Sequence, residues 1–61
     1  MKSIVFLKHS VTGWSKLKTI DATREIIVPT QGDSLVMKQQ TFVVNKIELD
    51  YDSEEVRVYL I

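Results

Sequence analysis

The chain has 61 residues, 44% of them hydrophobic and 26% charged, and its formal net charge is zero. That is one small globular domain over residues 1–61, too apolar for disorder and too neutral for general attraction to nucleic acid. It contains no cysteine, which excludes a disulfide framework and a cysteine-based zinc site.

The neutrality hides an asymmetry. Residues 1–31 carry five basic and two acidic side chains, whereas residues 32–61 carry three basic and six acidic ones. The expectation is either a dipolar surface or a barrel that interleaves the two halves. The apolar run Ile4-Val5-Phe6-Leu7 ends at Lys8, far too short for a signal peptide core or a membrane span. A soluble, cytoplasmic protein with no membrane contact is expected.

In chain order, Ser3–Lys8 is rich in β-branched and aromatic residues and predicts a first strand. Alternation puts Ile4 and Phe6 on one face and Val5 and Leu7 on the other, so both faces are apolar. His9–Gly13 is read as a loop, and Trp14–Ile20 as a second strand with Lys16 and Lys18 on one side. Asp21-Ala22-Thr23 makes a turn. A short helix over Ala22–Glu25 is the alternative, but Ile26-Ile27-Val28 favours extension and reads as a further strand.

The strongest punctuation follows. Pro29 fixes φ and removes a donor, and Gly32 admits the positive φ needed to relaunch the backbone at Ser34. Ser34–Lys38 is a short strand and Lys38–Thr41 its turn. Phe42–Asp50 is the longest extended stretch, and its apolar alternation changes phase: Phe42 and Val44 against Ile47 and Leu49. One extra residue near Asn45-Lys46, a β-bulge, would bring all four to one side and bend the strand. Asp50–Glu54 forms a polar hairpin, and Glu55–Ile61 closes the chain with Val56, Val58 and Leu60 opposite Arg57, Tyr59 and Ile61.

These elements predict an all-β fold, a small antiparallel barrel of five or six strands with a bulged long strand. The second half, through Pro29, Gly32, Asp33, Phe42, Val44, Ile47, Asp50, Val56, Val58 and Leu60, resembles the SH3-like small barrels. That resemblance implies a binding or assembly module, since such barrels occur in nucleic-acid, peptide and phage-assembly proteins. The aromatic peptide groove of signalling SH3 domains is not evident.

No catalytic residue, cofactor or metal site is expected. His9 beside Ser10 and Thr12 lacks a nucleophile motif, and Asp50, Asp52 and Glu54 lack the mid-loop glycine and twelfth-position glutamate of a calcium loop. Two surfaces remain. The two-faced terminal strands offer Val5, Leu7, Tyr59 and Ile61 to a protein partner or a second copy, and this is the preferred reading. The alternative is single-stranded nucleic acid gripped by Trp14, Lys16 and Lys18, an aromatic beside lysines along one strand.

Overall fold

A computed structural model describes residues 2–21 and 27–61. Its five strands are β1 (Ser3–Ser10), β2 (Gly13–Asp21), β3 (Ser34–Met37), β4 (Gln40–Asp50) and β5 (Glu55–Leu60). They form one sheet in the order β2-β1-β5-β4-β3. The sheet curls, but β2 and β3 at its two ends do not meet, so the fold is a half-barrel. Among the described residues no helix is long and apolar enough to cross a membrane.

The all-β reading holds, and the expectation of a wholly antiparallel sheet does not. β1 and β5 run parallel through the centre, from Ser3 opposite Glu55 to Lys8 opposite Leu60, while the other three pairings are antiparallel. β1 is apolar on both faces, through Ile4 and Phe6 and through Val5 and Leu7, and such a strand suits an inner position; β5 buries Val56, Val58 and Leu60 on one face and carries Arg57 and Tyr59 on the other. This seam also decides the charge question. Residues of the basic half build β2 and β1, and those of the acidic half build β5, β4 and β3, so the halves lie side by side rather than interleaved.

Alternation places Ile4 and Phe6 with Phe42, Val44, Val56, Val58 and Leu60 in one buried cluster, against which Leu17, Leu35, Met37 and Ile47 pack. The predicted bulge lies between Val44 and Lys46. Through it Val44 faces Leu60 and Ile47 faces Val58 despite their change of parity. Leu49 departs from expectation: opposite Val56 near the end of the ladder, it is exposed, because the sheet runs out into the hairpin before anything covers it. A second irregularity, between Phe6 and Leu7 on β1, leaves Leu17 as the extra residue of β2.

The turns are tighter than the sequence suggested. The predicted loop at His9–Gly13 shrinks to Val11-Thr12, with Gly13 at φ +123° and the Ser10 hydroxyl donating to its carbonyl at 2.9 Å. Lys38 and Gln39 form a two-residue hairpin turn with φ of 51° and 63°, so β4 begins at Gln40. At the β4–β5 hairpin the Asp50 carboxylate accepts the backbone N–H groups of Asp52 (3.0 Å) and Ser53 (3.2 Å).

Ile27 and Val28 are not in a strand but in the irregular segment that leads to Pro29. Ile26, the Ala22-Thr23 part of the predicted turn, and the alternative helix over Ala22–Glu25 lie outside the described residues. Gly32 does take the positive φ expected of it, +93°, and its N–H donates to the Val44 carbonyl at 2.9 Å. Asp33 braces the bend by accepting from the Thr30 N–H (2.8 Å) and hydroxyl (3.1 Å).

Candidate interaction surface

Opposite the core, the sheet has an outer face whose residues follow from register. β5 contributes Glu55, Arg57 and Tyr59, and the bulge brings Asp50, Glu48 and Lys46 opposite them in that order. On the other side β1 sets Ser3, Val5 and Leu7 against the same three residues. Ile61 and Val43 continue the row, exchanging backbone hydrogen bonds of 3.0 and 3.1 Å. On β3, Val36 alternates away from Leu35 and Met37, which pack on the core, and so belongs to this face too.

The face divides into two ends of different chemistry. At one end the Arg57 guanidinium is held by three carboxylates: Nε donates to Glu48 (3.2 Å), and Nη1 to Asp50 (2.8 Å) and Glu55 (3.1 Å). Tyr59 donates its hydroxyl to the same Glu48 oxygen at 2.6 Å, and Lys46 approaches the other oxygen at 3.5 Å. Glu48 is therefore held below the usual carboxylate range, first by the Tyr59 hydroxyl and then by Arg57. Asp50 is lowered chiefly by the Ser53 N–H, then by Arg57. Arg57 is raised by Asp50 and Glu48, and Tyr59 by its bond to Glu48. A shallow polar depression lies here, lined by Glu48, Leu49, Asp50, Tyr51, Asp52 and Arg57. Its charged groups largely satisfy one another. Among the described residues no group of three or more His, Asp or Glu is placed to hold a metal ion.

The other end is aromatic and aliphatic. Trp14 packs edge-on against Tyr59 (centroids 4.9 Å apart, planes at 78°) and against His9 (5.1 Å, 76°). Lys46 sits 4.7 Å from the Tyr59 ring centroid, in cation–π range. Beyond Tyr59 come Ile61, 64% exposed, then Val43 at 40% and Val36 at 72%. An apolar strip thus crosses the outer face from Trp14 near one sheet edge to Val36 at the other.

Of the residues expected to meet a partner, Tyr59 and Ile61 belong to this strip. Val5 and Leu7 are corrected: they are only 2% and 7% exposed and have almost no surface to offer. They lie on the outer side of β1, an inner strand flanked by β2 and β5, and the residues beside them in register are Arg57 and Tyr59 on β5 and Thr19 and Lys16 on β2.

Of the alternative cluster, Trp14 is 40% exposed and its ring lies in near-perpendicular contact with those of His9 and Tyr59. Lys16 pairs with Leu7 and Lys18 with Phe6, residues on opposite faces, so the two lysines do not form one row. Sequence reasoning missed Val36 and Val43. Their signal was present in the alternation of Leu35, Val36 and Met37 and of Phe42, Val43 and Val44, where only one parity is needed for the core.

No protein-family model, curated protein or solved structure matches this chain.

Proposed function

We propose that the chain is a non-enzymatic binding or assembly module. It meets a protein partner, a second copy of itself included, through the outer strip of Trp14, Tyr59, Ile61, Val43 and Val36. The observation that carries this reading is the contrast within one face: the ionic end is self-satisfied, whereas the apolar end stays open to water. Contiguous exposed apolar side chains rimmed by polar ones are what protein contacts are built on. The finer resemblance to SH3-like barrels, implied by Pro29, Gly32 and the bulged strand, fits the same role. A soluble, cytoplasmic setting belongs to this reading as well.

Single-stranded nucleic acid on Trp14 and Lys16 is the second reading, favoured only by the partial exposure of that indole. Sedimentation across a dilution series, at low and high salt, separates the two. We expect association that survives high salt, because an apolar contact is barely screened. A strict monomer to millimolar concentration overturns self-association. Binding of a single-stranded oligonucleotide that collapses with salt turns the reading to nucleic acid.

A further inference from the structure

Among the described residues no further strand pairs with β2 or β3 at the two edges of the half-barrel, and these edges are not alike. β2 is guarded as sheet edges usually are, by an irregularity near its middle and by exposed Lys16 and Lys18. β3, Ser34-Leu35-Val36-Met37, has no bulge, no proline and no charge within it.

The hydrogen bonding of β3 is set by its turn. The two-residue turn at Lys38-Gln39 closes on the opposed pair Met37–Gln40, and at the far end Val44 N–H donates to the Asp33 carbonyl at 2.9 Å. In an antiparallel ladder bonded and non-bonded pairs alternate, so the Asp33 carbonyl and the backbone groups of Leu35 and Met37 point toward β4, while the Asp33 N–H donates to the Thr30 carbonyl. The backbone groups of Ser34 and Val36 point away from the sheet.

We propose that β3 is a strand-addition site whose occupant is β3 of a second copy, paired antiparallel about Leu35. This deepens the assembly reading by naming the partner and the edge. A two-fold axis perpendicular to the sheet keeps core and outer faces in line, and it requires equivalent residues to oppose each other. With Leu35 opposite Leu35 of the second copy, Ser34 meets Val36 twice, and the outward groups of both residues exchange four hydrogen bonds. Asp33 then faces Met37 of the other copy, next to its Lys38, so opposite charges flank the pair at both ends and no like charges oppose. A register centred on Val36 pairs only that residue with itself and reaches Ser34 only through Lys38, whose φ of 51° already turns the chain away. Four residues make a short ladder, and the dimer is accordingly weak and concentration-dependent.

Val36→Pro is the discriminating variant. It removes an N–H that points outward, not one that β4 uses, and proline is tolerated at such edge positions. The experiment is sedimentation equilibrium from micromolar to millimolar concentration on the wild type, Val36→Pro and Ile61→Lys, with amide exchange read at both ends of the range. The expected result is a dimer whose association constant falls at least tenfold with Val36→Pro and less than threefold with Ile61→Lys. Exchange at the Ser34 and Val36 amides should slow several-fold with concentration while Leu35 and Met37 stay constant. Association kept by Val36→Pro and lost with Ile61→Lys overturns the edge and leaves the outer strip standing as the contact. A monomer at every concentration, or unchanged Ser34 and Val36 exchange in a dimer, also overturns it.

Discussion

Tyr59 joins the two ends of the outer face. Its ring packs on Trp14 and its hydroxyl donates to Glu48, so one side chain serves both the apolar strip and the ion network. The carboxyl of Glu48 is lowered from its ordinary 4.5 with the Tyr59 hydroxyl as the largest cause. A group depressed in the folded state stabilises the fold above its unfolded value, and that contribution disappears as pH falls through the folded value. Glu48 thus adds acid sensitivity below about pH 4.5. Tyr59→Phe keeps the ring and removes the donor. The Glu48 titration, followed by carbon NMR of its carboxyl, should move back up toward the ordinary value, and the acid limb of the stability curve should flatten. An unchanged Glu48 titration would show that Arg57 alone holds that carboxylate. The partnership was not legible in the sequence, because it depends on which residues the bulge brings opposite one another.

At the scale of elements, the β3–β4 hairpin holds two non-glycine residues, Lys38 and Gln39, at positive φ. Mirror-type two-residue turns favour Asn-Gly because both central residues need that region, and each ill-suited residue costs about 1 kcal/mol. The double substitution Lys38→Asn with Gln39→Gly should therefore raise stability by about 1 kcal/mol, seen as a higher urea midpoint with the same slope. A lower midpoint would mean that Lys38 and Gln39 contribute contacts outweighing their strain. The same turn explains a misread boundary. Without Asn or Gly to mark it, the sequence predicts a four-residue connection at Lys38–Thr41, whereas β4 begins at Gln40. The bulge near Asn45 was legible for the opposite reason: hydrophobic alternation has a strict period of two, so a phase change in a long strand has few physical solutions. Ile27 and Val28 misled because β-branched residues fit a strand only when a neighbouring strand is present to pair, and here none is.

For the molecule as a whole, the parallel seam between β1 and β5 is the feature the sequence concealed. Pairing of chain ends is a long-range choice, and antiparallel and parallel partners satisfy the same apolar pattern on a two-faced strand. Once made, that choice puts Val5 and Leu7 on an inner strand, sets the basic strands beside the acidic ones, and places β2 and β3 at the edges of the sheet among the described residues. What remains exposed and apolar is the strip from Trp14 to Val36. Its role as the contact surface is tested most directly by amide and indole chemical shifts recorded from dilute to concentrated protein. The predicted result is concentration-dependent movement confined to Ser34, Leu35 and Val36 of β3 and to Val43, Tyr59, Ile61 and the Trp14 indole, with Arg57, Asp50 and Glu55 still. Shifts that stay constant throughout, or that gather at the Arg57 end, would contradict it.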